Sequence, residues 1–362
     1  MYGGARGGST SGMPYSASPG PVSLDSRHPD DDPAMPRHDA PDRSSRRHED
    51  PLSGRAVFVA PRRADRPHDE ALQACPFCAG NEHLTPHEVL RSPADPAAPW
   101  MTRIIPNKYP FAEDLPPIGG GRREGGATHE AGVPAHGVHD VIIESPRHET
   151  SILSIDPSSW RASWGLTQDR LAACAGRRDL VWGLIFKNSG TSAGASLEHV
   201  HSQLVALDFL PPLVAASLSA AADLFARLIR QAERDRRVVA TAGSLVAFVP
   251  PAPRQPMETW IMPRQPAPWF HAAGREEVEA LADLTREVVA RLDEASPGAD
   301  YNWWLHQAPF AHASQARAVP EGWRWHLEIV PRITALAGFE LGTGCHVSVA
   351  TAEESARRLR RG

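Results

Sequence analysis

The chain has 362 residues, of which 41% are hydrophobic and 22% charged, with a net charge of −5 at pH 7. That is room for two domains of ordinary size with apolar content for a core, and it excludes a general nucleic-acid binder, so basic residues act locally if at all. No apolar run approaches the ~20 residues of a membrane helix, no signal-peptide stretch opens the chain, and four cysteines are too few for a disulfide scaffold; the expectation is a cytoplasmic protein.

Residues 1–44 are rich in Gly, Ser, Pro, Asp and Arg. A segment with so little to bury cannot offset its ordering entropy, and disorder is expected there. Strand signals follow at 57–60, 102–106 and 140–144. Residues 114–135, with their glycine runs, read as a long loop. Strands are expected again at 181–187 and 199–207. Helical spacing covers 213–236, behind Pro211 and Pro212, and 275–293, with Val278, Leu281, Val288 and Leu292 on one stripe. Further strand signals lie at 245–249, 258–262, 301–306 and 323–330.

A faint repeat runs through these elements. Pro146-Arg147-His148 precedes a helical region, a strand and His199-Val200-His201. Pro263-Arg264-Gln265 precedes a helix, a strand and His326-Leu327-Glu328. The second half lacks the paired histidines, so the chemistry is expected in the first half, residues 45–208, and a degenerate copy in 209–355, with a basic tail at 356–362.

In a strand, residues i and i+2 share a face. His199, His201 and Gln203 would line one face, and such groups make poor core residues. Gly190, Gly194 and the small residues Ala193, Ala195 and Ser196 form a loop just upstream. Such a loop lets backbone N–H groups approach phosphate oxygens. Arg62, Arg63 and Arg66 cluster after the first strand, and arginine forks suit phosphate. A neutral imidazole attacks phosphorus and leaves again readily, splitting one exchange into two displacements. His201 is therefore the expected nucleophile. Cys75-Pro76-Phe77-Cys78 has knuckle spacing for zinc, with His148 and His199 as candidates for the remaining ligands. A redox dithiol is the alternative use of that pair.

Taken together these motifs resemble the galactose-1-phosphate uridylyltransferase family, the transferase branch of the histidine-triad superfamily. The resemblance spans about residues 45–355. It runs through Arg47-His48-Glu49-Asp50-Pro51-Leu52-Ser53-Gly54, Cys75-Pro76-Phe77-Cys78-Ala79-Gly80-Asn81-Glu82, Ile105-Pro106-Asn107-Lys108-Tyr109-Pro110 and His139-Asp140-Val141-Ile142-Ile143-Glu144-Ser145-Pro146-Arg147-His148. It continues through Phe186-Lys187-Asn188, Gly194-Ala195-Ser196-Leu197-Glu198-His199-Val200-His201-Ser202-Gln203, Trp325-His326-Leu327-Glu328 and Gly338-Phe339-Glu340. Val200 stands where a proline is usual between the histidines, and Lys108 where some relatives hold an acidic residue at the ribose.

The resemblance implies an α+β fold of two histidine-triad-like halves, each an antiparallel sheet packed with helices. It implies that His201 becomes nucleotidylated and that Gln203 binds the transferred phosphoryl group. Zinc would sit on Cys75, Cys78, His148 and His199. Asn107, Asn188, Gly194 and Ser196 would surround the nucleotide, and Arg63 and Arg66 its phosphates. Phe339 and Glu340 match the hexose end, which the family contributes across a homodimer interface. His306, His326 and Glu328 fall where some relatives hold a second metal; they are able to bind one or to form a satisfied polar cluster. The implied partners are a nucleotide sugar and a hexose 1-phosphate, in ping-pong exchange between UDP-glucose and galactose 1-phosphate. ADP-glucose phosphorolysis is the alternative with the same chemistry, and a non-catalytic zinc protein that binds nucleotides is the second.

Overall fold

A computed structural model describes residues 43–66, 74–115 and 132–361. The expected disordered tail at 1–44 lies outside the described residues except for its last two positions, as does most of the loop expected at 114–135, whose end instead forms a short strand, Val133–Pro134, paired with Arg46–Arg47. In chain order the strands are β1 (Arg46–Glu49), β2 (Ala56–Val59), β3 (Leu90–Ser92), β4 (Thr102–Pro106), β5 (Val133–Pro134), β6 (Gly137–Ile143), β7 (Trp182–Ser189), β8 (His201–Leu207), β9 (Val238–Ala242), β10 (Leu245–Phe248), β11 (Thr259–Pro263), β12 (Tyr301–His306) and β13 (His326–Pro331). The helices are α1 (Pro157–Ala175), α2 (Pro212–Ser217), α3 (Leu224–Arg234), α4 (Arg275–Ala295), α5 (Gly338–Thr343) and α6 (Ala352–Leu359).

β2-β1-β5 form a small sheet, and the other ten strands form one sheet in the order β3-β4-β6-β8-β7-β12-β13-β11-β10-β9. Its neighbours all pair antiparallel. β7 and β12 meet at the centre, and the strands flanking them follow the same order outward on each side. The expected boundary near residue 208 therefore separates two groups of strands that one continuous ladder joins. The architecture is α+β, as the sequence implies.

Period-two alternation assigns the faces. Leu204 and Ala206 of β8, with Ile142 of β6, Ile185 of β7 and Trp303 of β12, join a core with Trp160, Trp164 and Leu171 of α1 and Leu281, Leu284 and Val288 of α4. Burying one such aliphatic side chain contributes about 1.5–3 kcal/mol. Trp160 Nε1 donates to the Ala282 carbonyl at 2.9 Å and ties the two long helices together. α1 starts where Pro157 presets the backbone and the Asp156 carboxylate accepts the Ser158 and Ser159 N–H groups at 2.9 and 3.3 Å. With α1 and α4 covering one face, His201 and Gln203 point from the other. Among the described residues no helix is long and apolar enough to cross a membrane.

Several expected elements shift. The strand expected from 199 begins at His201, and His199 lies in the preceding turn. The helix expected over 213–236 is two helices. Ser217 and Ser219 hydroxyls donate to the carbonyls of Val214 and Ala216 and end the first. The strand expected from 323 begins at His326, because Trp323 turns aside into a cluster with Phe225 and Phe248. The segment read as a basic tail is mostly helix: α6 buries Ala356 and Leu359, and Arg360 donates to the Arg236 and Val238 carbonyls.

Candidate functional site

β8 brings His201 and Gln203 to one face, and both line a cavity of about 220 Å³ with Ser196, Asn107, Lys108 and Arg66. His201 is 5% exposed, so its ionised form is disfavoured: burial, with the Lys187 charge behind it, pushes its pKa down to about 3. Nδ1 of this neutral ring lies 2.8 Å from the His199 carbonyl, which can only accept. The proton is therefore on Nδ1, and Nε2 keeps the lone pair of a nucleophile. Behind the strand, Lys187 Nζ donates to the His201 carbonyl at 2.9 Å and to Glu144 at 2.5 Å, and the Ser202 hydroxyl donates to the same carboxylate. This buried pair pins the backbone that carries the nucleophile.

Gln203 is held from the side by His139 of β6, whose Nε2 lies 3.0 Å from Gln203 Oε1. Burial holds His139 down at about 3, so it too is neutral. Asn107 Nδ2 reaches the same imidazole nitrogen at 3.1 Å, and Asn107 Oδ1 accepts the Tyr109 N–H at 2.9 Å. Sequence reasoning missed His139, Lys187 and Glu144 as members of the site. The alternation of β6 was visible, but which residue of β6 meets Gln203 depends on the register.

Arg63 and Arg66 face Thr191, Gly194, Ala195 and Ser196 across a polar cavity of about 600 Å³. Gly190 and Gly194 hold φ of 87° and 82°, which side-chain-bearing residues rarely adopt, and so shape this loop. Among the described residues the buried Ser196 hydroxyl finds no hydrogen-bond partner, and it lies on the wall of this cavity, where it is able to donate to a ligand. Asn188 sits at the end of β7; since Phe186 pairs with Gln203, Asn188 comes beside His201.

The Cys75 Sγ lies 3.5 Å from His199 Nδ1; the Cys78 Sγ lies 3.6 Å from His148 Nδ1 and 3.7 Å from His199 Nδ1. All four ligand atoms fall within 4.8 Å of one another. A tetrahedral zinc with two sulfurs and two nitrogens has sulfur-to-nitrogen edges of about 3.6 Å, so the residues fit the ion. The tautomer fits as well: His199 Nε2 donates to the Ser145 carbonyl at 2.9 Å, leaving Nδ1 free to ligate.

The second half repeats part of this design. β13 opens on His326 as β8 opens on His201, and His326 Nδ1 lies 3.1 Å from the carbonyl two residues back. Glu328 then occupies the place of Gln203: each faces Phe186 or Trp304 on one side and Val141 or Trp260 on the other. Glu328 Oε1 is 3.6 Å from His306 Nε2 and 3.4 Å from His326 Nε2, and Arg254 pairs with its other oxygen. The expected trio is thus brought together, with an arginine already against the carboxylate. A carboxylate in this place would repel an anion, whereas an amide such as Gln203 has an NH₂ able to donate to one. Phe339 and Glu340 are not brought to the His201 cavity. They lie on exposed α5, where Glu340 accepts the Ala337 N–H at 3.0 Å and caps the helix.

A family described as a domain of unknown function, DUF4921, matches residues 136–359. The chain is 30% identical to ADP-glucose phosphorylase of Arabidopsis thaliana over 325 residues, 86% of this chain and 91% of that protein. It is 24% identical to galactose-1-phosphate uridylyltransferase of Thermotoga maritima over 324 residues, 86% of this chain and 96% of that one. Among solved structures, the Arabidopsis thaliana ADP-glucose phosphorylase with bound ADP-glucose superposes with a TM-score of 0.69 at 30% identity, covering 88% of this chain and 99% of its own. A uridylyltransferase structure superposes at 0.70 with 25% identity, over 87% and 97%.

Proposed function

Since the chain belongs to the DUF4921 family and to the galactose-1-phosphate uridylyltransferase-like nucleotidyltransferases, we propose that it transfers a nucleotidyl group from a nucleoside diphosphate hexose through a covalent bond to His201. The single observation that carries this is the Nδ1 contact with the His199 carbonyl, which leaves the Nε2 lone pair for the cavity shared with Gln203 and Ser196. Nε2 attacks the α-phosphorus, a nitrogen–phosphorus bond forms, and glucose 1-phosphate leaves. A phosphate oxygen of the acceptor then attacks the same phosphorus and His201 departs neutral. Gln203, Ser196, Arg63 and Arg66 stabilise charge on the phosphoryl oxygens; Asn107 and Asn188 hold the nucleotide.

Two donors suit this chemistry. Several relatives are galactose-1-phosphate uridylyltransferases, which supports UDP-glucose as donor and a hexose 1-phosphate as acceptor. The ADP-glucose phosphorylase relative is the more similar of the two over an equal span, 30% against 24%, which supports ADP-glucose with inorganic phosphate as acceptor. Incubation with each donor alone, read by intact-protein mass, separates them: a uridylyl or an adenylyl increment is expected, with exchange of labelled glucose 1-phosphate for that donor only. Binding without adduct or exchange for either would leave a non-catalytic nucleotide-binding protein.

Cys75, Cys78, His148 and His199 would hold a structural zinc that ties three chain segments beneath the nucleophile. His306, His326 and Glu328 offer a second, three-ligand position in which Arg254 already balances the carboxylate. Phe339 and Glu340 would complete the hexose end of a partner subunit; the exposure of Phe339, and of Leu341 at 72% on the same helix, supports this.

Gln203→Glu puts into the first half the residue that the second half carries. The expected outcome is a fall in adduct formation of about 10²–10³-fold, the scale for losing one oxyanion donor, with unchanged thermal stability. Single-turnover rates at saturating donor check it.

A further inference from the structure

The second half packs against the first along the central ladder and the two long helices, and at one point of that ladder its side chains reach the loop beside His201. Asn302 of β12 pairs with Asn188 of β7 in the central ladder and is 5% exposed. Its Nδ2 donates to Asn188 Oδ1 at 2.8 Å and to the Ala193 carbonyl at 2.9 Å. Its Oδ1 accepts from Arg332 Nε at 2.5 Å. The polarity of this chain of contacts is fixed at both ends. A guanidinium only donates and a backbone carbonyl only accepts, so the Asn302 amide has one orientation. Its NH₂ must meet Asn188 through the Asn188 oxygen. The Asn188 NH₂ is then the part left over, on the sheet face that β7 shares with His201 of β8.

The same segment holds the glycine loop. Asp300 Oδ2 accepts the Ser192 N–H at 2.7 Å. A Cβ on Gly190 would come within 1.6 Å of Asp300 Oδ1, so only glycine admits the carboxylate there. Asp300 and Asn302 thus hold residues 188–193, with Arg332 bonded to Asn302, while Arg63, Arg66 and Ser196 line the cavity.

We propose that Asn302, oriented by Arg332, is a positioning residue: it turns the Asn188 amide so that its NH₂ meets the nucleotide phosphate, and it holds the glycine loop through Ala193. This rests on the nucleotidyl-transfer reading. It gives the second half a role in the reaction that does not need a second active site.

The test is a double-mutant cycle on the full chain, read as the single-turnover rate of adduct formation at saturating donor. Asn302→Asp keeps the shape but removes the NH₂. Arg332 still finds an acceptor, while the second oxygen faces Ala193 and forces Asn188 to turn its own NH₂ inward. The rate is expected to fall about 10- to 100-fold, with a smaller change in donor KM. In an Asn188→Ala background, Asn302→Asp should cost much less, because the amide it orients is gone. Arg332→Gln, at the outer end, should give an intermediate loss and serves if Asn302→Asp fails to fold. Full activity of Asn302→Asp would overturn the proposal, as would equal losses in both backgrounds at unchanged thermal stability. If the unsubstituted protein forms no adduct with any donor, the function reading fails instead, and the two failures are distinct.

Discussion

His201→Asn is expected to abolish the covalent adduct and to lower turnover by on the order of 10⁴-fold or more, which corresponds to about 5.5 kcal/mol of barrier. An amide nitrogen has no lone pair to give phosphorus, so no partial route through the same bond remains. The fold should survive, because asparagine also donates and can replace the contact with the His199 carbonyl. Thermal unfolding should therefore move little while activity vanishes. His326→Asn is the matched control. The two histidines hold equivalent ladder places and equivalent contacts to a carbonyl two residues back, yet Glu328 and Arg254 fill the phosphate place beside His326. His326→Asn should leave adduct formation within about threefold, since no interaction with the transition state is removed. Mass spectrometry after incubation with donor, with peptide mapping, reads both. An adduct that persists in His201→Asn, or turnover that survives without one, would remove the double displacement.

Cys78→Ser should release a metal and destabilise the chain by about 4 kcal/mol or more, the range in which loss of a structural metal belongs. For a chain of this size that lowers the unfolding midpoint by roughly 10 °C. The reason is connectivity. The Cys75–Cys78 turn, His148 beyond β6 and His199 before β8 come from three parts of the chain. The ion would add to contacts that already join them: the Ala79 N–H on the Pro146 carbonyl and the Val200 N–H on the Glu149 carbonyl, both at 2.8 Å, and His199 Nε2 on the Ser145 carbonyl at 2.9 Å. Freed of the ion, His199 would no longer fix the turn whose carbonyl orients His201, so adduct formation should fall together with stability. Elemental analysis of the purified protein, before and after the substitution, is the measurement. No stoichiometric zinc in the unsubstituted protein, with a reversible Cys75–Cys78 disulfide, would support the redox reading instead.

Much of the site was legible without coordinates because its parts are local. Cys75 and Cys78 share one turn, Gly190 and Gly194 precede Ser196 within one short loop, and His201 and Gln203 share a face at spacing two. The expectation that His199 continues that face was wrong in geometry, since the strand starts two residues later. That difference turns His199 toward Cys75 and Cys78 and leaves His201 on the cavity. His139 lay in a quoted motif without a role, and Asn302 had none, because register is a long-range property.

The chain's own order of residues carried the local pattern of the candidate site: thiols at knuckle spacing, a histidine and an amide two residues apart, and small residues in the loop before them. These are requirements of bond geometry over a few residues, and sequence carries them. Only the tertiary structure decided which imidazole nitrogen is free, which amide end faces the cavity, and that β7 and β12 fuse the halves so that Arg332 and Asn302 brace the first half's loop. The free nitrogen of His201 follows from a carbonyl only two residues back once the turn at His199 is set, but the amide orientation and the bracing of the loop depend on partners more than a hundred residues away, such as Ala193 from Asn302. No local pattern specifies such partners; the ladder that aligns the strands does.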